Sequence, residues 1–92
     1  MHKKEAETVA LQALSWLLAN DELRSVFLIS TGADEATLRS ATTDMAQLGA
    51  VLEFLTMNDA WIVAFCDDEG HEYTDPMRAL AWFSEDRFLN WT

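Results

Sequence analysis

The residues best able to do chemistry lie in one short stretch, Asp67, Asp68, Glu69, His71, Glu72 and Asp75, just after the chain's one cysteine, Cys66. Carboxylates and an imidazole at this density could hold a divalent cation or move a proton. The spacing does not fit an established ligand pattern. In a calcium loop the glycine is the sixth residue, and counting back from Gly70 would put Phe65 at the first ligand position. His71-Glu72 begins like a His-Glu-x-x-His zinc helix, but Asp75 stands where the second histidine belongs, and Gly70 and Pro76 interrupt a helix there. A solvated acidic loop is the plainer reading, with a metal-dependent hydrolase or a metal-sensing domain built on His71 as the alternative.

Cys66 follows an apolar run and precedes acids. Negative neighbours and a helix C-terminus raise a thiol pKa, the reverse of what a nucleophile needs, so Cys66 reads as core filling. His2 and His71 are the only histidines, leaving little material for a Ser-His or Cys-His pair. Gly32, Gly49 and Gly70 are isolated, so no phosphate-cradling loop is present. No cofactor is expected, and the chain leans away from enzymes.

Sixteen acidic residues against six basic ones give a net charge of −10. That field repels phosphate backbones and anionic lipid surfaces, so neither nucleic acid nor membrane is an expected partner. No run approaches the roughly 20 apolar residues that span a bilayer. The start of the chain has no signal-peptide pattern, and a lone cysteine allows no internal disulfide, which points to the cytoplasm. The remaining partners are a protein with a basic surface or a second copy of the chain, giving a monomer or weak homodimer. Mimicry of nucleic acid by the acidic face is a third reading, and it needs carboxylates spaced like phosphates.

The elements that must position these residues are helices. Ninety-two residues make one domain, with residues 1–4 expected to fray. From Glu5 to Ala19 the apolar face covers more than half a helical wheel, which requires more than one neighbour. Asp21 caps a helix from Glu22 to Thr31 with a stripe of Leu23, Val26, Phe27 and Ser30, and Gly32 ends it. Asp34 caps a short helix to about Thr42, anchored by Leu38. Thr43 or Asp44 caps a helix from Met45 to Met57, striped by Leu48, Val51, Leu52 and Leu55, where Gly49 and Ala50 allow a close approach. Ala60 to Glu69 is apolar nearly all round, and it is the expected innermost element. Asp75-Pro76 restarts a helix to Phe83 that carries Met77, Leu80 and Ala81, and Ser84 is expected to cap a further turn or two from Glu85 to Trp91.

The stretch from Asn58 to Gly70 echoes that from Asn20 to Gly32, and the correspondence pairs Leu14 with Leu52, Trp16 with Phe54, Leu17 with Leu55 and Phe27 with Phe65. No segment alternates with period two. The expected fold is an all-α compact bundle of five to six short helices, built as two similar helical pairs around Val9, Leu14, Leu17, Phe27, Leu52, Leu55, Trp61 and Phe65.

Three segments carry a resemblance: EAETVALQALSWL from Glu5 to Leu17, FLISTG ending at Gly32, and LGAVLEFLTMNDAWIVAFC from Leu48 to Cys66. Over about residues 5–70 the chain resembles a bacterial family of small helical proteins known as domain of unknown function 3572. After Gly70 it departs: the family tends to continue with an Ala- and Arg-rich helix, whereas HEYTDPMRALAWFSEDRFLNWT is aromatic and acidic. The resemblance implies a helical fold and assigns no catalytic residue.

The C-terminal residues Trp82, Phe83, Arg87, Phe88 and Trp91 leave two readings open. They fold back to close the core, or they form an aromatic-plus-arginine patch of the composition found at interaction hot spots. The function read from the chain is a non-catalytic protein-interaction module.

Overall fold

Helix α1 (Lys3–Ala19) starts inside the stretch expected to fray. His2 pairs with Glu5 at 2.7 Å and Lys3 with Glu7 at 3.9 Å, and Met1 is half-buried against the core. The computed structural model describes residues 1–40 and 44–91, with side chains in the C-terminal helix up to Ser84. Five further helices follow among the described residues: α2 (Asp21–Thr31), α3 (Glu35–Arg39), α4 (Met45–Thr56), α5 (Asp59–Glu69) and α6 (Asp75–Trp91). No strand occurs among these residues, and the architecture is an all-α bundle.

Short polar side chains set the helix starts. Asn20 is the N-cap of α2, and its side chain accepts from the Leu23 amide at 3.1 Å; Asn58 caps α5 by accepting from Ala60 at 2.9 Å. Asp21, the expected cap of α2, and its counterpart Asp59 therefore fall in the first turns, one position after the actual caps, where their charge still favours the positive helix end. Asp34 accepts from Thr37 at 2.7 Å, and Asp44 from Ala46 and Gln47. Gly32 and Gly70 close α2 and α5 at φ 72° and 74°, a left-handed conformation that costs a residue with a Cβ roughly 1–2 kcal/mol.

The centre is a sandwich of α1, α4 and α6. Ala6, Ala10 and Ala13 keep α1 narrow enough for close approach, with Val9, Leu14 and Leu17 filling between them. Helix α4 contributes Leu48, Gly49, Val51, Leu52, Phe54 and Leu55. Helix α6 brings Pro76, Ala79 and Phe83. Burying a side chain such as Leu or Phe contributes about 1.5–3 kcal/mol, so this seam carries most of the folding energy.

Four expectations change here. Helix α5 is peripheral: it buries Ile62, Phe65 and Cys66 and leaves Val63 and Ala64 exposed. Its outward apolar residues, Ala60, Val63 and Ala64, are no larger than valine, so exposing them costs less than exposing the leucines and phenylalanine of α4 would. The α2 stripe narrows to Phe27, with Leu23 half-buried and Val26 and Ser30 exposed, because α2 lies at the edge of the bundle. Trp61 is half-buried and stacks on Phe54 at 4.7 Å instead of lying inside the core. Helix α6 runs unbroken through Ser84, since without a preceding glycine or proline nothing stops the helix there. Leu38 anchors α3 fully buried, as its isolation in a polar segment suggests; positions 41 and 42 of that expected helix and the candidate cap Thr43 lie outside the described residues.

Arg24 ties the outer helices to the centre. It donates to the Leu18 carbonyl at 2.7 Å and pairs with Asp21 at 2.9 Å, with Glu35 at 3.7 Å. One half-buried guanidinium thus joins the end of α1 to α2 and α3.

Candidate functional site

The segment between α5 and α6 brings the reactive residue types together as a knot of internal bonds. Both the Gly70 and His71 amides donate to the Cys66 carbonyl, at 2.8 and 3.0 Å, and the Cys66 thiol donates to the Glu72 carbonyl at 3.3 Å. His71 stacks on Phe65 at 5.5 Å, faces Asp75 Oδ2 through Nδ1 at 3.2 Å, and meets Gln12 of α1 through Nε2. Asp75 lies inside α6 and turns back to accept from the Glu72 amide at 3.3 Å. Gln12 shows no sequence signal linking it to His71, which is brought to it only by the packing of α5 against α1.

Two acids of the cluster hold aromatic donors. The Trp16 indole N–H donates to Asp68 at 2.8 Å while its ring meets Phe65 edge-on at 5.8 Å. The Tyr73 hydroxyl donates to Asp67 at 2.9 Å, and that bond, with the carboxylate's charge, raises the phenol pKa above its ordinary value. Burial, then the charges of Asp75 and Asp67, push the Cys66 thiol up as well. Among the described residues no three His, Cys, Asp or Glu side chains converge as metal ligands. This arrangement fixes a loop against three helices.

Two of the grooves along the described residues bear on what the molecule can bind. One, of about 390 Å³, runs along the start of α1 past Met1, Lys4, Glu5 and Thr8 to His71 and Asp75. The other, of about 280 Å³, lies between the end of α2 and α4 and is lined by Ser30, Thr31, Ala50, Glu53, Phe54 and Met57. Met57, 77% exposed, stands on its wall, and Ile29, 83% exposed, precedes the lining residue Ser30 on α2. Sequence reasoning missed this surface. Its signal was Ile29 and Met57 standing off the Phe27 and Leu52 stripes of their helices.

Of the C-terminal aromatics, Phe83 is 2% exposed and belongs to the core, while half-buried Trp82 meets it edge-on at 5.0 Å. The side chains of Arg87, Phe88 and Trp91 lie outside the described residues.

A small all-α bundle whose ionisable loop is bonded into its own scaffold is the class that fold and site define. The family described as Protein of unknown function (DUF3572) matches residues 3–86, and the chain belongs to it. The match continues past Gly70, where the resemblance was expected to end. Its extension has a physical reason, since Pro76, Ala79 and Phe83 complete the core that α1 and α4 begin. No curated protein and no solved structure matches the chain. Among the described residues no single helix is long and apolar enough to cross a membrane.

Proposed function

We propose that this chain is a small cytoplasmic, non-catalytic protein-interaction module that takes its partner on the side formed by α2 and α4. The observation that carries the reading is Met57, 77% exposed on the wall of an open groove, together with the exposed Ile29 on the neighbouring helix α2, on a chain of net charge −10. A large apolar side chain held in solvent at the wall of a groove that also exposes part of Phe54 and Ala50 favours association. His71, Cys66, Asp67, Asp68 and Asp75 support the same reading, because each already has an internal partner. Of the C-terminal aromatics, Phe83 is occupied by the core and is not open to a partner.

Capture from cell lysate at low and high salt, with wild type beside the folded double variant Ile29→Asp/Met57→Asp, tests it. A partner retained by wild type and lost from the variant is the expected result. Equal capture by both proteins, or no partner at either salt, removes the reading.

A further inference from the structure

The groove between α2 and α4 restricts what can occupy it. Ala50, Glu53, Phe54 and Met57 follow the i, i+3, i+4, i+7 spacing, so its long wall is one helical stripe of about 10 Å at the usual rise. Both walls are α-helices: the amides along them bond within their own turns, the Thr31 hydroxyl donates to the Phe27 carbonyl, and only the last carbonyls of α2 are left open at one end. An occupant therefore meets side chains and finds no strand edge to extend. It must satisfy its own backbone, as a helix does and an extended peptide does not.

Charge selects the sign of that helix. From Ser40 to Met77 the chain has no Lys or Arg, and the acids of α4 and α5 are Glu53, Asp59, Asp67, Asp68 and Glu69. Glu22 shares with Val26 and Ile29 the i, i+4, i+7 stripe of α2 that adjoins Ser30. Neither α2 nor α4 has a basic residue in its last turn, so the negative end of α2, which borders the groove at Ser30 and Thr31, has no basic residue of its own. A second copy of this chain would bring the same negative charge to the contact.

We propose that the groove receives a basic amphipathic helix from a partner protein. Two of its apolar side chains, three or four residues apart, lie against Phe54 and Met57, and flanking Lys or Arg residues face Glu53 and the carbonyl end of α2. This rests on the interaction-module reading and names the chemistry of the partner.

Three synthetic peptides of equal length test it by amide NMR: a Leu/Lys amphipathic helix, its Leu/Glu counterpart, and the Leu/Lys sequence with a central proline. The first is expected to shift Ser30, Thr31, Ala50, Glu53, Met57 and the Trp61 indole, and to bind more weakly as salt is added. Met57→Asp and Glu53→Lys should each weaken it by about tenfold. Equal binding of the acidic or proline peptide, shifts confined to other surfaces, or no shift at all overturns the proposal. So does concentration-dependent dimerisation through the groove in sedimentation, which would assign it to a second copy. If lysate capture still depends on Ile29 and Met57 while the basic helix leaves the groove unshifted, the helix assignment falls and the module reading stands. Loss of both removes both.

Discussion

Helices α2 and α5 are each 11 residues long, each is capped by an asparagine side chain, each buries one phenylalanine completely, and each stops at a left-handed glycine. Past that glycine the two part ways. Beyond Gly70 the chain doubles back, and Cys66, His71, Asp75 and Gln12 bond the segment to α1, α5 and α6. Beyond Gly32 it passes through the Asp34 cap into the short α3, and the side of α2 facing α4 stays open. The contrast teaches that capping and stop signals repeat readily because they are local, whereas closing a surface needs a neighbour from far along the chain. One pair obtained that neighbour from α1 and α6; the other kept its apolar face.

The largest test of the comparison is truncation of the two buried rings. Phe27→Ala and Phe65→Ala should each cost about 3–5 kcal/mol in urea unfolding, with Phe65→Ala the worse, since Phe65 also meets Trp16 and His71. A larger loss for Phe27→Ala would break the asymmetry between the two ends.

Substitution of the stop residues should erase the difference. Nothing lies within 4 Å of a Cβ added at Gly32 or Gly70, so the cost is one of backbone conformation alone. Gly32→Ala and Gly70→Ala should lose similar stability, roughly 1–2 kcal/mol each by the same measurement. Below that come the caps: Asn20→Ala and Asn58→Ala should each cost about 1 kcal/mol, read as a drop in Tm. Unequal losses within either set would show that the shared plan is only superficial.

The finest distinction is in pH. The Asp34 carboxyl is held below its usual range, chiefly by the Thr37 amide, so its contribution is present above that range and fades as pH falls through it. Tyr73 behaves oppositely. Its protonated phenol is held by Asp67, so that contribution is complete below the ordinary phenol range and is lost as pH climbs past the raised value. Tyrosinate absorbance should show Asp67→Ala moving the titration back down toward 10.0. An unmoved titration would place the bond elsewhere.

The local parts of this fold are readable in the chain. The aspartate caps of α3 and α4, the two stop glycines, the wide face of α1 and the buried Phe27 and Phe65 all follow from neighbouring residue types, whereas at α2 the cap is Asn20 and not the expected Asp21. Burial rank does not. Apolar content singles out α5, yet α4 is more central because α1 and α6 flank it, and that placement depends on packing between distant segments. The loop chemistry was legible only as composition. His71 and its acids are visible in the sequence, but Gln12 enters from α1, across a separation no spacing rule covers. Phe83 reads as core or as patch until α6 is laid against α1 and α4.

Cys66 is 1% exposed, with its S–H pointed at the Glu72 carbonyl beneath the segment joining α5 and α6. A sulfur so placed works as a stopwatch. Thiol reagents should reach it only when that latch lifts, so the labelling rate in unmodified protein records how often this end of the bundle breathes.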